Sequence, residues 1–340
     1  MTREKLTEVL TSLCGAQGIS GDETAAAEKA LSYLSQYCED AKIIRGNVTG
    51  SVECGDENAP WVLLDAHIDQ VGLIVTSVTE DGFVTVGNVG GLDRRLFPDQ
   101  HVRIFGTKPV DGILCCMPPH LTDGSEKVQK ITDVRIDTGY PAEELKKLVH
   151  PGDSVVFCGV TGALPGGKFT SPALDDRCGV AAILQALDLT AQEQLPCNVL
   201  VLFSTQEEVG ERGAAIGCYA ADPDIALAVD VSFAGDGSRS ETGELGKGAM
   251  IGFSPSLSRA VSRGLQDAAE RDGIPWQYEV MAGTTGTNAD QFSVCREGVK
   301  ACTVSIPLDY MHTPVEVIDL ADVTYTGELI AAYLRRCSAC

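Results

Sequence analysis

Residues 61–69 have the sequence Trp-Val-Leu-Leu-Asp-Ala-His-Ile-Asp, an apolar run that passes directly into acidic and imidazole side chains. The apolar part is continuous rather than alternating, which is typical of a strand buried on both faces of a sheet. In open α/β sheets, ligand sites form beyond the carboxyl ends of the strands. The stretch therefore predicts a central strand and the edge of the sheet where a polar site would form.

Three further apolar runs share this character: Val199–Phe203, Ile225–Val229 and Ala301–Ile306. Helical spacing of apolar residues appears twice within residues 5–38, and again in Cys178–Leu189, Leu257–Asp272 and Leu320–Cys337. Strands that alternate with helices predict an α/β fold in which helices sandwich a central, mostly parallel sheet.

Residues 72–163 do not follow this alternation. They are rich in Val, Ile, Gly and Thr, and turn signals such as Gly90-Gly91 and Pro118-Pro119 divide them. This composition predicts a small β domain inserted into the α/β domain. We expect residues 1–71 plus 164–340 to form the α/β domain and residues 72–163 to form the insert.

Composition and charge limit the class of protein. The chain has 340 residues, 44% of them hydrophobic, and a formal net charge of −22. This charge argues against nucleic-acid binding and against docking on an anionic membrane. The first five residues contain no apolar segment, and the longest apolar runs are too short to cross a bilayer. We therefore predict a soluble, cytoplasmic protein without nucleic-acid or membrane partners.

The 13 cysteines are scattered along the chain. In a reducing compartment, residues such as Cys116 and Cys302, which lie in apolar surroundings, are best interpreted as small buried hydrophobic residues. Cys337-Ser-Ala-Cys340 has the spacing of a metal or redox motif, but no second pair completes a zinc site. A structural role is therefore favoured over a redox or metal role.

Polar residues follow each apolar run, and a further acidic pair opens the helix after the insert. They are Asp65, His67 and Asp69; Glu207 and Glu208; Asp230; Asp309 and His312; and Asp175 and Asp176. Singly, each has a simpler explanation as a turn residue, a helix cap, a solvated acid or a core histidine. Two His and three carboxylates together are costly to bury without cations. Mixed imidazole and carboxylate ligands suit Zn, Co or Mn.

Residue spacing limits what each group can do. His67 and Asp69 are two residues apart on an extended segment and face the same way. His67 can therefore bind a metal while Asp69 orients a neighbouring group. Glu207 and Glu208 point in different directions if their segment is extended. One of them can bind metal while the other faces the substrate as a base, and spacing alone does not say which.

Eight short segments, spread along nearly the whole chain, form a recognisable set. They are Gly18-Ile-Ser-Gly21, Ala66-His-Ile-Asp69, Val89-Gly-Gly91, Ala173-Leu-Asp-Asp-Arg177, Gln206-Glu-Glu-Val-Gly210, Val229-Asp230, Ala234-Gly-Asp236 and Tyr310-Met-His-Thr-Pro-Val315. In order and spacing this set resembles the M42 family of co-catalytic metallo-aminopeptidases, which includes glutamyl aminopeptidases and members labelled as endoglucanases.

The resemblance implies two divalent metal ions per subunit, Zn or alternatively Co or Mn. Asp175 would bridge the two ions. Glu208 and His312 would complete the protein ligands of one ion, and His67 and Asp230 would complete those of the other.

The resemblance also implies a reaction and an assembly. Glu207 would be the general base, Asp69 would orient His67, and a metal-bridged water would attack the peptide bond after the N-terminal residue of a short peptide. The fold would be that of a co-catalytic zinc exopeptidase, and residues 72–163 would form a PDZ-like domain for oligomerisation and substrate access. The protein would be a homo-oligomer, and dodecamers are frequent in the family.

Four positions depart from the family pattern. Gln70 stands where the family often has Glu, and Ser232-Phe233 stand where Thr-His is commoner, with Gly237-Ser238 replacing the downstream Pro-Gly. Asn288 matches the family's Gly-Gly-Thr-Asp-Ala motif inexactly. Asp309 precedes Tyr-Met-His where the family often has Arg. Asp309 is either a surface turn residue or a specificity residue that disfavours acidic N-terminal side chains.

Three other functions remain as alternatives. Related carboxypeptidases and deacylases use the same residue types, but they keep the first His and the bridging Asp closer than the 108 positions between His67 and Asp175. Glycoside hydrolysis needs a metal-free carboxylate pair and usually an aromatic lining, whereas only 6% of these residues are aromatic. A non-catalytic scaffold is disfavoured because all five expected ligands and the base are present.

Overall fold

The computed structural model describes residues 1–115, 128–235 and 243–337. Several positions discussed above lie outside the described residues, namely Cys116, Pro118-Pro119, Asp236-Gly237-Ser238 and Cys340. None of the helices within the described ranges is both long enough and apolar enough to cross a membrane.

The strands are numbered in chain order. They are β1 (Lys42–Ile44), β2 (Asn47–Val52), β3 (Trp61–His67), β4 (Gly72–Val78), β5 (Phe83–Val89), β6 (His101–Phe105), β7 (Pro109–Leu114), β8 (Arg135–Asp137), β9 (Ser154–Phe157), β10 (Gly162–Ala163), β11 (Lys168–Ser171), β12 (Asn198–Ser204), β13 (Ile225–Phe233), β14 (Ala249–Phe253), β15 (Trp276–Val280), β16 (Lys300–Asp309) and β17 (Glu316–Asp319). Each of the four apolar runs lies within one of these strands, so the predicted strands are confirmed.

The helices are numbered in the same way. They are α1 (Arg3–Cys14), α2 (Thr24–Leu34), α3 (Ala142–Leu145), α4 (Leu174–Thr190), α5 (Arg212–Ala221), α6 (Arg259–Asp272), α7 (Ala289–Ser293) and α8 (Leu320–Leu334). Short 3-10 helices occur at Arg94–Leu96, Ile131–Asp133 and Pro165–Gly167. Leu6, Leu10 and Leu13 of α1 are buried, as the helical spacing of the apolar residues requires.

Eleven strands form one large sheet in the order β1-β2-β12-β3-β13-β16-β17-β11-β10, with β14 also paired to β16 and β15 to β14. The central strands β12, β3, β13 and β16 are parallel to their neighbours in this set. Val62–His67 of β3 are all buried, and successive residues face opposite sides, so both faces of the sheet are covered.

The sheet as a whole is mixed rather than mostly parallel. The pairs β1–β2, β2–β12, β16–β17, β17–β11, β11–β10 and β14–β16 are antiparallel. The connections from β1 to β2 and from β16 to β17 are short turns, and a parallel neighbour would need a crossover of roughly a dozen residues or more. Parallel pairing is therefore concentrated in the centre of the sheet, where helices connect the strands.

Six strands, β4 to β9, form a separate closed barrel in the order β4-β5-β8-β7-β6-β9, with antiparallel pairing. We call residues 72–157 the barrel. Its apolar residues, from Leu73 to Val155, form a core cluster that shares no residue with the core of the large sheet. Gly90 and Gly91, directly after β5 of the barrel, lie close to Glu208 and His312 of the other part of the chain.

Candidate functional site

The predicted site residues lie at one edge of the large sheet. The parallel strands β3, β12, β13 and β16 all point toward this edge, so the residues near their carboxyl ends converge. His67 ends β3 and is the register partner of Ser204, the last residue of β12. Asp230 belongs to β13, and Asp175 lies at the irregular start of α4, where its peptide bond to Asp176 is cis.

The five predicted metal ligands and the predicted base all belong to overlapping groups of closely spaced donor atoms. Their ligand atoms form three groups, within each of which all atoms lie within 4.8 Å: His67 with Glu207 and Glu208, His67 with Asp175 and Asp230, and Asp175 with Glu208 and His312. Each group combines imidazole and carboxylate donors, the set that Zn and related ions prefer.

Asp175 occupies the centre of this arrangement. One carboxylate oxygen, Oδ1, lies 3.0 Å from Nε2 of His67, and the other, Oδ2, lies 3.2 Å from Nε2 of His312. Nε2 of His312 also lies 3.3 Å from Oε1 of Glu208. Each carboxylate oxygen of Asp175 therefore faces a different imidazole.

Without bound cations, burying this many carboxylates together would carry a large free-energy penalty. His67 is 1% exposed, Asp175 5% and Asp230 6%. Burial raises the pKa of Asp230 well above its ordinary value, and burial raises the pKa of Glu207 to about 9. Burial opposes ionisation of Asp175 too, but hydrogen bonds from His312 and His67 hold its pKa below the ordinary value. Several carboxylates in one buried space favour bound cations, so the donor set fits divalent metal.

Asp69 contacts both His67 and the segment that carries the two glutamates. Nδ1 of His67 lies 3.1 Å from the backbone oxygen of Asp69 and 3.5 Å from Oδ1 of its carboxylate. The same carboxylate accepts the backbone N–H groups of Glu207 at 3.0 Å and Glu208 at 3.3 Å, and the hydroxyl of Ser20 at 2.7 Å. Asp69 thus ties β3 to the turn after β12.

His312 is oriented from the barrel side. Its Nδ1 lies 2.7 Å from the backbone oxygen of Gly91, so Nδ1 carries the proton and donates to that carbonyl. Nε2 is then left to face Asp175 and Glu208. A Cβ atom at position 91 would lie 3.4 Å from Nδ1 of His312, in ordinary van der Waals contact with the ring. The sequence marked the Gly90-Gly91 pair as a turn and did not reveal this contact.

Gln70, one of the departures, contacts the buried Arg177 that follows Asp175 and Asp176. Arg177 donates to Oε1 of Gln70 at 2.9 Å and to the backbone oxygens of Leu13 and Ile68 at 2.7 and 3.2 Å. Gln70 is therefore a neutral acceptor that helps to anchor the backbone between His67 and Asp69, and it lies outside the three groups of ligand atoms.

The other departures lie in different environments. Asn288 is buried and donates to Oδ2 of Asp65 at 2.7 Å and to Oγ of Ser204 at 2.9 Å, so it supports β3 and β12 from α7. Phe233, at the end of β13, is 61% exposed. Asp309 is half-buried at the end of β16.

The sequence analysis assigned no function to two acidic residues that are buried near the site. Asp176 is fully buried, and its Oδ2 has no hydrogen-bond partner among the described residues. Glu316 accepts the backbone N–H groups of Asp175 and His312. The Asp-Asp pair in the sequence marked Asp176 only as a neighbour of a ligand, and the sequence analysis did not single out Glu316.

A family model for M42 glutamyl aminopeptidases matches residues 46–329, most of the chain. The chain belongs to the M42 family. It is therefore an aminopeptidase-family hydrolase, as the motifs predicted, and M42 peptidases are metal-dependent.

Individual relatives agree with this assignment. The M42 chain is 30% identical over 339 residues to the lysyl aminopeptidase of Pyrococcus furiosus, covering 96% of each protein. Its structure is similar to an aminopeptidase from the archaeon Desulfurococcus kamchatkensis, with a TM-score of 0.92, 31% identity, and coverage of 99% of this chain and 96% of that one. It is also similar to the TET1 peptidase of Pyrococcus horikoshii, which can assemble into a tetrahedron or a large octahedral shell. Here the TM-score is 0.87, the identity 31%, and the coverage 98% of this chain and 100% of that one.

Proposed function

We propose that this M42 chain is a two-metal aminopeptidase that removes N-terminal residues from short peptides, with Glu207 as its general base. The observation that carries the proposal is the position of Asp175, whose two carboxylate oxygens face His67 and His312 within two adjoining groups of donors. We assign His67 and Asp230 to one ion, Glu208 and His312 to the other, and Asp175 to both.

The remaining residues support hydrolysis at this centre. When bound, two divalent ions would lower the pKa of a bridging water and polarise the scissile carbonyl. The Glu207 side chain is only slightly exposed, and its Oε2 lies 3.9 Å from Nε2 of His67, beside the donors. The Glu207 carboxylate would accept a proton from that water and return it to the leaving amine.

The assembly and the cellular location are part of the same proposal. Because the similar TET1 peptidase can assemble into a tetrahedron or a large octahedral shell, we propose that this chain forms a homo-oligomer, with a dodecamer as the form to test. In that assembly residues 72–163 would serve as a PDZ-like domain for oligomerisation and substrate access, and residues 1–71 plus 164–340 as the catalytic domain. We propose a cytoplasmic location.

Chelator treatment is expected to abolish activity, and Zn, Co or Mn added separately is expected to restore it. The stripped and reloaded protein would be assayed with aminoacyl chromogenic substrates that carry a free amine, with N-acetylated versions as controls. Activity that requires both metal and free amine would support the proposal. Full activity after stripping would point to metal-free hydrolysis, and cleavage of blocked substrates would point to a deacylase.

A change at Asp309 is expected to alter the preferred N-terminal side chain. Asp230 is the register partner of Ser305, and Asp309, four residues beyond Ser305 on β16, faces the same side of the sheet. An acid there would repel a glutamyl side chain. We expect Asp309→Arg to raise the turnover ratio of glutamyl to leucyl substrates by roughly 10-fold, about 1.4 kcal/mol. The neutral variant Asp309→Asn should give an intermediate ratio, and an unchanged ratio in both variants would show that Asp309 is only a turn residue.

A further inference from the structure

Glu316 is a buried acid with two backbone partners. It is the first residue of β17 and is 2% exposed. Its Oε1 accepts the backbone N–H of His312 at 2.9 Å, and its Oε2 accepts the backbone N–H of Asp175 at 3.2 Å. Each oxygen of one carboxylate is therefore used by a different predicted metal ligand.

The sheet explains why one side chain reaches both residues. β17 pairs with β11, where Ser171 is the register partner of Glu316, and β11 leads into the segment that carries Asp175. β17 also pairs with β16, which leads into the turn that carries His312. Glu316 thus lies between two segments that are distant in sequence, at the place where each leaves the sheet.

The Glu316 carboxylate accepts backbone N–H groups in the same way as the Asp69 carboxylate described above. Asp69 accepts the backbone N–H groups of Glu207 and Glu208, and Glu316 accepts those of Asp175 and His312. Backbone hydrogen bonds to a carboxylate are stronger than those between neutral groups, more so where water is excluded. Two carboxylates that are not themselves ligands therefore hold the backbone of four residues at the site.

We propose that Glu316 is a positioning residue that sets the separation of Asp175 and His312, and so shapes the ion site that these two form with Glu208. This inference rests on the proposed two-metal function. No hydrogen bond found in the described part of the chain joins Glu316 to His67 or Asp230. Asp175 serves both proposed sites, so both should weaken, but the site that also contains His312 loses the positioning of two of its ligands and should weaken much more than the other.

Glu316→Gln tests this with little change in shape. Glutamine offers one acceptor oxygen, and its NH₂ group would face a backbone N–H, so one of the two amides loses its partner. Stripped wild type and variant would be titrated with Co²⁺, followed by visible absorbance and equilibrium dialysis. We expect wild type to bind two Co²⁺ per chain. We expect the variant to bind one at most a few-fold more weakly than wild type, and the second roughly 10- to 100-fold more weakly, the usual effect of losing a group that orients a ligand.

Glu279→Gln is the matched control. Glu279 is also a buried glutamate, 6% exposed, and it accepts the hydroxyl of Ser305 at 2.7 Å rather than the backbone of a ligand. We expect it to bind two Co²⁺ like wild type. A purely structural role for Glu316 would instead lower the thermal midpoint and weaken both ions equally.

A second variant, Glu316→Asp, keeps the inference testable if Glu316→Gln does not fold. Glu316→Asp keeps the charge on a shorter side chain that cannot span both amides, so the same selective weakening of one ion is expected. Wild-type affinity for both ions in Glu316→Gln and Glu316→Asp would overturn the inference. Wild type that binds no Co²⁺ would instead overturn the proposed two-metal function, so the two failures are distinguishable.

Discussion

Replacing Glu207 with glutamine is expected to lower kcat by roughly 10²- to 10⁴-fold, the usual contribution of a general acid–base group. Glutamine has nearly the same shape but cannot take a proton from water. The proposed ligands His67, Asp175, Glu208, Asp230 and His312 remain, so the variant should still bind two metal ions per chain. Steady-state kinetics on a free-amine substrate and metal analysis of the same sample would measure both effects.

The control for this prediction is Glu211→Gln. Glu211 lies four residues further along the same segment, is half-buried, and belongs to none of the three donor groups. Its loss should leave kcat within a few-fold of wild type. If Glu207→Gln were as active as Glu211→Gln, another group would have to be the base. If it lost its metal as well, Glu207 would be a ligand rather than a base.

Replacing Asp175 with asparagine is expected to lower activity at least as much as Glu207→Gln does, because the Asp175 side chain serves both proposed ion sites. Asparagine retains a single, neutral carbonyl oxygen, so it cannot face both His67 and His312 as the carboxylate does. Metal content after dialysis should fall from two ions to less than one per chain. Bound metal contributes several kcal/mol to such reactions, so kcat/KM should fall by at least about 10³-fold.

Asp188→Asn is the comparison for this change. Asp188 belongs to the same helix, α4, but its partly exposed side chain pairs with the N-terminal amine of Met1 at 2.7 Å, away from the donor groups. This variant should retain two ions and full activity. Two tightly bound ions in Asp175→Asn would contradict a shared ligand, and would favour two ions held by separate sets of residues.

Prediction from sequence worked where a physical rule links neighbouring residues. A strand buried on both faces must be apolar throughout, so Trp61–Leu64 and Val199–Phe203 were recognisable as central strands. Parallel strands present their carboxyl ends at one edge, so the polar residues that follow them were expected to converge. For His67 and Glu207, the structure shows this proximity directly, at 3.9 Å between Nε2 and Oε2.

No such rule predicts strand direction at the edges of the sheet. The expectation of a mostly parallel sheet rested on the alternation of strands with helices. It missed that β1 and β2, and also β16 and β17, are joined by short turns and so pair as antiparallel neighbours. Short edge strands such as Lys42–Ile44 are exposed and carry little hydrophobic pattern from which their pairing could be inferred.

The sequence by itself determined the chemical character of this protein: which residues offer imidazole and carboxylate groups, and which strands bring them to one edge. These follow from side-chain chemistry and from periodic burial. Only the tertiary structure decided how that set is held, through the carbonyl of Gly91 on His312 and the carboxylate of Glu316 on two backbone amides. These contacts use backbone groups that every residue carries, and two of the three join segments distant in the chain, so they leave no pattern in the sequence.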